Sequence, residues 1–293
     1  MDKLASGFDL VEGPAWDDRT SSLLVTDSRA SGVHRLLDDG SVEVVVPHRK
    51  SVNGIVLHVD GGVVISGRNV AWKRGDETVV LLERPSEVFG FNDLGSDAEG
   101  RVYAGTIDFA NIRVEGAALQ RGELYLIDVD GSSRVVADDI GFANGIAVSP
   151  DGRSLYVADT VDNSLLAFDR APDGGLSNRR TVFEWPDAVA PRAVDRGPDG
   201  IAVAADGAIW VAMYGMGYLS LVAPDGTERQ RVDTMPEHSP TSVCFGRSDL
   251  RTLFVTTSGG SQGIPPGGGA IYSMPVETAG FPVPLARTPT SAV

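Results

Sequence analysis

A short sequence word that recurs along the chain constrains the fold more than any other feature. In this word a polar residue is usually followed by glycine and then by apolar residues that enter a strand. The copies begin at Glu12, Asn53, Asn92, Asn144, Asp199 and, in degenerate form, Thr241. Successive copies are 41, 39, 52, 55 and 42 residues apart. A period of roughly 40–50 residues with strand and turn content is typical of β-propeller blades.

The segments between the copies read as short strands. Each repeat divides into about four runs rich in Val, Ile, Leu and Tyr, and no window has sustained helical periodicity. A β-sandwich would account for the strands but not for one word repeated at a near-constant period. We therefore predict an all-β fold: a six-bladed β-propeller with four-stranded antiparallel blades, forming a single domain over residues 1–293.

Seven aspartates lie in Asp-Gly or similar turns between these strands. Because glycine supplies the positive φ that tight hairpins need, we interpret them as turn residues. They are Asp60, Asp97, Asp130, Asp151, Asp173, Asp206 and Asp225. The Pro-containing tail from roughly residue 280 to 293 is expected to be loosely packed. Either the N-terminal strand or this tail could complete the last blade.

The charge and cysteine content limit the classes of partner. With 25 Lys and Arg against 40 Asp and Glu, the net charge of −15 argues against nucleic acid and anionic membranes as partners. Cys244 is the single cysteine, which excludes an internal disulfide and favours a reducing compartment. The N-terminus lacks the apolar segment of a signal peptide, so a cytoplasmic location is expected. The oligomeric state stays open between a monomer and a weak dimer.

The same corner of each blade faces the central axis, so the polar residues of the word should converge there. Glu12 and Asp199 offer two negative charges, and Asn92 and Asn144 add amide oxygens. Asn53 could be a ligand or a pocket residue. Such hard oxygen donors suit a divalent cation, with calcium expected first and zinc, manganese, magnesium or ferrous iron as alternatives.

The alternative interpretation of each copy is structural. An Asn before Gly is, taken alone, most often a turn residue. The occurrence of several copies at equivalent blade positions favours a shared site. The four histidines are scattered, which disfavours a zinc site built from imidazole and sulfur ligands.

Several longer words together resemble one known family. They are EGPAW (12–16), FND (91–93), DAEGRVYAGT (97–106), NGIAVSPDGRSLYVADT (144–160), SNRRTVFE (177–184), PDGIAVAADGAIWVA (198–212) and SVCFG (242–246). In combination they resemble the senescence marker protein/gluconolactonase family, which includes regucalcin, over nearly the whole chain. The resemblance implies a six-bladed propeller with one catalytic divalent metal near the axis and hydrolysis of a lactone ring. It places the metal ligands on Glu12, Asn144 and Asp199, with Asn92 approaching metal and substrate.

The residues suit this chemistry independently of the resemblance. A divalent ion can polarise the lactone carbonyl, and a carboxylate beside it can take a proton from the attacking water. Asp199 is the candidate base and Glu12 a ligand only. Three other functions are compatible with a propeller of this kind: a phosphotriesterase or other esterase on the same metal, a non-catalytic calcium-binding propeller, and metal-free chemistry like that of strictosidine synthase. The last is disfavoured because the carboxylates and the asparagines are all present.

The surroundings of the site point to a substrate of low polarity. Gly90 stands where regucalcin-type members have an Arg, and the stretch from Ile107 to Ala110 does not match their acidic loop. Apolar residues accumulate nearby, namely Phe89, Phe91, Phe109, Phe142, Tyr214 and Met216. We expect Asn92, Asn53, Phe109 and Tyr214 to contact the substrate. Simple aliphatic or aromatic lactones should then be hydrolysed at least as well as gluconolactone, and Gly90→Arg should favour the sugar lactone.

Overall fold

A computed structural model describes residues 1–30, 32–49, 51–86, 90–107, 121–186, 196–234, 239–259 and 265–291. In these residues six four-stranded antiparallel sheets are present and no helix. The predicted six-bladed β-propeller with four-stranded antiparallel blades is thereby confirmed. It follows that none of the described residues forms a helix long and apolar enough to span a bilayer.

The strands follow one another blade by blade, each blade running from its innermost to its outermost strand. The chain begins with β1 (Asp2–Phe8), and blade 1 follows as β2 (Val11–Asp17), β3 (Ser22–Asp27), β4 (Val33–Leu36) and β5 (Val42–Val46). Blade 2 contains β6 (Ile55–Leu57), β7 (Val63–Ile65), β8 (Val70–Arg74) and β9 (Glu77–Leu82). Blade 3 contains β10 (Gly90–Ser96), β11 (Val102–Ile107), β12 (Gly122–Ile127) and β13 (Ser133–Ile140).

The second half of the ring repeats this order. Blade 4 contains β14 (Ala143–Val148), β15 (Ser154–Asp159), β16 (Ser164–Arg170) and β17 (Leu176–Glu184). Blade 5 contains β18 (Gly197–Val203), β19 (Ile209–Tyr214), β20 (Tyr218–Val222) and β21 (Glu228–Asp233). Blade 6 contains β22 (Ser239–Gly246), β23 (Thr252–Ser258) and β24 (Gly269–Pro275), and it is completed by β1.

The N-terminal strand therefore closes the ring. Asp2 to Phe8 pair antiparallel with β24, which makes β1 the outermost strand of blade 6. The indole of Trp16 in blade 1 stacks on the ring of Phe254 in blade 6, with ring centroids 5.6 Å apart. Pairing the first strand with the last blade joins the beginning and the end of the ring and covers the edge of β24.

The innermost strands share one irregularity at the position of the recurring word. In five blades the pairing with the second strand skips residues there: between Glu12 and Ala15, Phe91 and Leu94, Ala143 and Ile146, Pro198 and Ile201, and Pro240 and Ser242. Such a bulge leaves residues out of the ladder and re-aims their side chains. In these five blades the polar residue of the word lies at this bulge, near the start of the inner strand.

The glycine of the word is required by packing between blades. A Cβ on Gly13 would lie 2.2 Å from the carbonyl oxygen of Asn53, and one on Gly145 would lie 2.5 Å from the nitrogen of Ile201. Each glycine thus faces the backbone of the next inner strand. Asn144 and Gly145 lie within β14, so this Asn-Gly pair belongs to a strand and not to a turn.

The aspartates assigned to turns occupy hairpins between strands, although Asp97 does more. The glycines at positions 61, 131, 152, 174, 207 and 226 have positive φ, as the Asp-Gly turns require. The carboxylate of Asp97 is fully buried and accepts a hydrogen bond of 2.7 Å from the guanidinium of Arg170. Arg101 pairs with the same carboxylate, so Asp97 also links blade 3 to blade 4.

A mainly apolar cavity of about 250 Å³ extends along the axis from the bulges towards the hairpins that join the first and second strands. Its walls include Ile55, Ile146, Ile201 and Val243. Residues 281–285 also line it. The inner strands begin on the side of the propeller opposite to these residues, at the end where the bulges lie. We call that side the entry face.

The C-terminal tail packs more closely than the sequence predicts. The nitrogen of Phe281 donates to the carbonyl of Val203 in blade 5, and the nitrogen of Ala286 donates to the carbonyl of Leu57 in blade 2. Ala286 has no exposed surface. The tail thus crosses the far side of the propeller and joins opposite blades.

Candidate functional site

Four polar residues of the recurring word form one continuous chain of hydrogen bonds at the axis. Asn53 Nδ2 donates to Asn92 Oδ1 at 2.8 Å, and Asn92 Nδ2 donates to Asn144 Oδ1 at 2.9 Å. Asn144 in turn donates to the carboxylate of Asp199. All four are less than one-tenth exposed. We call this chain of side chains the amide ladder; it runs across blades 2 to 5 and ends on a carboxylate.

Hydroxyl groups at the ends of the second strands hold the ladder in place. Ser28 Oγ donates to Asn53 Oδ1, and Ser66 Oγ accepts from the nitrogen of Gly54 at 2.9 Å. Thr160 Oγ1 accepts from Asn144 Nδ2 at 3.2 Å and donates to the carbonyl of Pro198 at 2.7 Å. The amide side chains are therefore held by hydrogen bonds on both sides. A binding site needs such support to keep its ligand groups in a fixed arrangement.

Two buried aspartates fix the backbone that leads into the site. Asp27, at the end of β3, accepts hydrogen bonds from the nitrogens of Asp9 and Leu10, which precede Glu12. Asp159, at the end of β15, accepts from the nitrogens of Gly141 and Phe142, which precede Asn144. Hydrogen bonds from backbone N–H groups to a carboxylate are strong, so each aspartate holds the segment that precedes its site residue.

The carboxylates at the axis repel one another. Burial, the charge of Asp93 and to a lesser extent that of Asp27 raise the pKa of Glu12 to about 8, while the charge of Arg29 opposes this rise. Burial first, and then the charges of Glu12 and Asp93, raise the pKa of Asp199 well above its usual range; the hydrogen bond from Asn144 opposes that rise. Burial raises the pKa of Asp93 to about 6. Such electrostatic strain is relieved by a bound cation.

The donor set fits a divalent cation of the oxygen-binding type. The described residues contain no group of three or more His, Cys, Asp or Glu side chains that could hold a metal ion. The ladder contributes amide oxygens instead, and these together with Glu12 and Asp199 give two charges and several neutral donors. Hard cations accept such a mixture of carboxylate and amide ligands.

Only some of the residues predicted to contact the substrate lie at the site. Asn53 and Asn92 belong to the amide ladder. Tyr214 is half-buried at the end of β19, where it pairs with Gly197, two residues before Asp199. Phe109 lies outside the described residues, as does Phe89.

Two of the apolar residues predicted to surround the site belong instead to the hydrophobic core. Phe91 is 1% exposed and packs edge-on against the ring of Tyr125 at 5.9 Å. Phe142 is 7% exposed. The partly buried Met216 packs against the hydrophobic core formed by blades 4 and 5. From the sequence alone, an apolar residue beside the site residues cannot be distinguished from one that packs into the core.

Position 90 has no room for a side chain. The nitrogen of Phe91 donates to the carbonyl of Gly67 at 2.7 Å, and this pairing brings the backbone of blade 2 against Gly90. A Cβ on Gly90 would lie 2.6 Å from the Gly67 oxygen and 3.5 Å from the Cα of Arg68. An arginine at position 90 would have to displace the backbone of Gly67, so the effect of Gly90→Arg on substrate preference stays a prediction that carries a cost in stability.

The residues that position the ladder are not among those predicted from the sequence. Ser28 and Thr160 directly follow the buried aspartates Asp27 and Asp159, in the words TDS and ADT. This recurrence at the end of the second strand in blades 1 and 4 is the signal that could have identified them. Arg29 follows in blade 1, and its charge acts on Glu12.

The fold and the donor set together define a propeller with an oxygen-rich axial site. Residues 10–259 match the SMP-30/Gluconolactonase/LRE-like region family. The chain belongs to this family, which confirms the resemblance seen in the sequence.

Relatives with named activities cover most of the chain. A 6-deoxy-6-sulfogluconolactonase of Pseudomonas putida is 32% identical over 256 residues, which are 85% of this chain and 83% of that protein. A regucalcin of Danio rerio is 31% identical over 84% of this chain and 82% of its own length. A pentonolactonase of Haloferax volcanii is 29% identical over 86% of this chain and 82% of its own length.

Solved structures share the fold. A luciferin-regenerating enzyme superposes with a TM-score of 0.83 at 21% identity, over 97% of this chain and 98% of that one. A calcium-binding regucalcin of Agrobacterium tumefaciens superposes with a TM-score of 0.81 at 23% identity, over 98% and 97% of the two chains. Distant relatives of this chain are thus lactonases, and the family includes calcium-binding regucalcins.

Proposed function

We propose that this protein is a metal-dependent lactonase that opens a sugar lactone. The observation that carries the proposal is the meeting of buried carboxylates with the amide ladder at the axis. Its support comes from relatives that are named for the hydrolysis of sugar lactones. The low-polarity substrate expected from the sequence is set aside, because Phe91 and Phe142 belong to the core.

Glu12, Asn144 and Asp199 would hold the divalent ion, with Asn92 at its edge, and calcium is our first choice. When bound, the ion supplies Lewis acidity: it polarises the lactone carbonyl and stabilises the negative charge that develops on its oxygen. Asp199 accepts the proton of the attacking water as the new carbon–oxygen bond forms and the ring carbon–oxygen bond breaks. Asp199 then passes this proton to the ring oxygen, which leaves as a hydroxyl group, and the product is an open-chain hydroxy acid.

The amide ladder orients these groups. Asn144 donates to the carboxylate of Asp199 and fixes its rotation. Asn92 is fixed by the hydrogen bonds it makes on both sides, to Asn53 and to Asn144. It can therefore present its amide at a constant position to the substrate, which lowers the entropy cost of reaching the reactive geometry.

A pH-indicator assay with a substrate panel tests the proposal. The panel contains gluconolactone, pentonolactones, simple γ- and δ-lactones, aromatic lactones, a phosphotriester and an aryl ester, each with calcium, manganese, magnesium, zinc or ferrous iron. We expect metal-dependent opening of sugar lactones and its loss in Asp199→Asn. Hydrolysis of the phosphotriester or aryl ester alone would favour an esterase. Metal binding by calorimetry without any turnover would favour a non-catalytic calcium-binding propeller.

A further inference from the structure

Three arginines that have no carboxylate partner among the described residues lie next to strands at the entry face. Arg29 follows β3 in blade 1, Arg68 lies between β7 and β8 in blade 2, and Arg196 directly precedes β18 in blade 5. All three are exposed. Within the described part of the chain none of them forms an ion pair with an acidic residue, whereas most other arginines do. Arginines paired with carboxylates include Arg19, Arg35, Arg74, Arg101, Arg121, Arg134, Arg170, Arg180, Arg229 and Arg247.

Each of these arginines is tied to a residue of the axial site. Arg68 follows Gly67, whose backbone pairs with Phe91, the neighbour of Asn92. Arg196 precedes Asp199 by three residues. The three cations therefore come from blades 1, 2 and 5, each from the side where the inner strands begin.

Arg29 has the closest connection to the site. Its charge acts on Glu12. The neighbouring Ser28 donates to Asn53, so Arg29 stands beside the start of the amide ladder. Its Nη1 donates to the carbonyl of Gly259 at 2.8 Å, which fixes the guanidinium between blades 1 and 6 while leaving other N–H groups for a ligand.

The position of these charges has a consequence for the substrate. The chain carries a net charge of −15, and Glu12, Asp93 and Asp199 lie at the axis. Such a site repels an anionic substrate unless local cations reverse the potential at its entrance. A guanidinium fixed at one N–H group is well suited to bind a phosphate, sulfonate or carboxylate oxygen.

We propose that the entry face selects lactones that carry an anionic substituent away from the ring carbonyl, and that Arg29 is the residue that binds this substituent. Arg68 and Arg196 add positive potential around it. The inference rests on the proposed lactonase function and specifies its substrate class.

Paired substrates that differ only in the anionic group test the inference. With calcium at saturation, glucono-1,5-lactone is compared with 6-phosphoglucono-1,5-lactone, and glucono-1,4-lactone is compared with glucaro-1,4-lactone, which carries a carboxylate. We expect kcat/KM to be at least about tenfold higher for an anionic lactone, mainly through KM, and this advantage to shrink with added NaCl. A preference for the phosphate-bearing lactone indicates a phosphate site, and a preference for the carboxylate-bearing lactone indicates a carboxylate site.

Variants assign the effect to Arg29. Arg29→Gln should lower the ratio of anionic to neutral kcat/KM by about tenfold, and Arg68→Gln and Arg196→Gln by smaller factors. Arg153→Gln is the matched control. Arg153 is exposed and has no ion pair within 4 Å among the described residues, but it lies in the β14–β15 hairpin on the far side. The Arg153→Gln substitution should leave kcat/KM unchanged for both the anionic and the neutral lactone.

Two results would overturn the inference. One is a wild-type protein that prefers the neutral lactone. The other is an Arg29→Gln variant that slows both substrates equally, which indicates an effect on the metal site only. If no lactone is hydrolysed, calorimetry decides: tighter binding of 6-phosphogluconate than of gluconate, lost in Arg29→Gln, supports anion recognition, and equal binding refutes it. The failure of the lactonase function is thereby separated from the failure of this inference.

Discussion

At the scale of single residues, the site depends on the direction in which each amide of the ladder points. Asn92 accepts from Asn53 and donates to Asn144, so neither end of its amide is free to turn. Asn144 divides its two N–H groups between Thr160 and Asp199. Because the donors all run towards Asp199, the ladder supports a charged carboxylate at its end.

The division of roles between the two axial carboxylates can be measured. Asp199→Asn keeps an oxygen donor but removes the base, so kcat should fall by about 100- to 10,000-fold and added metal should not restore it. Glu12→Gln removes a charge from the metal site, so its metal affinity should fall and excess metal should restore part of the activity. Metal titrations of the steady-state rate compare the two variants. An identical response to metal would contradict the assignment of the base to Asp199.

At the scale of the elements, the inner strands are set by glycines that allow neighbouring blades to approach. Gly145 of β14 faces the nitrogen of Ile201 and the carbonyl of Asp199, both in β18. The same glycine thus controls the blade spacing and the position of the candidate base. The C-terminal tail is the second such element, since it joins blades on opposite sides of the axis.

Gly145→Ala tests the spacing of the inner strands. Its Cβ would lie 2.5 Å from the Ile201 nitrogen and 2.7 Å from the Asp199 oxygen, so the strands must separate. We expect a loss of about 1–3 kcal/mol in the free energy of unfolding together with lower activity. Gly175→Ala is the control, because its nearest neighbour is a side-chain oxygen of exposed Asp173 at 3.1 Å. Denaturant unfolding that gave equal stabilities for the two variants would contradict the packing argument.

The tail is held by a neutral histidine. His58 is buried; its Nε2 donates to the carbonyl of Thr288 at 2.9 Å, and its Nδ1 accepts from the nitrogen of Asp60 at 3.1 Å. Burial lowers the pKa of His58 and outweighs the opposing influence of that Thr288 hydrogen bond and the Asp60 charge; the nearby Arg19 and Arg287 lower the pKa further. Since the folded state binds this proton less readily than the unfolded chain, the protein should lose stability as the pH falls below about 6.5.

A glutamine at position 58 isolates this effect. His58→Gln keeps an N–H donor for Thr288 but cannot titrate. Thermal unfolding between pH 7.5 and 5 should show a shallower loss of stability for the variant, by at most about 1.4 kcal/mol per pH unit. Parallel pH profiles of the two proteins would show that His58 does not titrate in this range.

At the scale of the whole molecule, all six blades depend on one another around the axis. The first strand completes the last blade, and the axial residues come from separate blades. Because the candidate metal ligands belong to blades 1, 3, 4 and 5, a bound cation would connect much of the ring.

Metal binding should therefore stabilise the entire propeller. At a calcium concentration about 100 times its Kd, a cation that binds only the folded state adds about 2.7 kcal/mol. We expect a chelator to lower the Tm by several degrees, with calcium reversing the change. In Glu12→Gln the same calcium concentration should raise the Tm less. A Tm that does not respond to chelator or to calcium would argue against a metal at the axis.

The sequence alone was sufficient to identify the architecture and the positions of the polar residues. A repeat of about 40 residues, with strands between its copies, allows a propeller and little else. Since every copy begins an inner strand, the repeat by itself assigns Glu12, Asn92, Asn144 and Asp199 to the axis. The roles of these four residues as ligands and base stay predictions.

The tertiary structure decided whatever depends on contact between blades. The backbone of Gly67 lies against Gly90, and the ring of Tyr125 packs on Phe91; neither contact follows from the local sequence. The packing of the tail against blades 2 and 5 likewise joins residues that are far apart in the chain. Local sequence patterns report which face of a strand is apolar, but ring closure determines what that face meets.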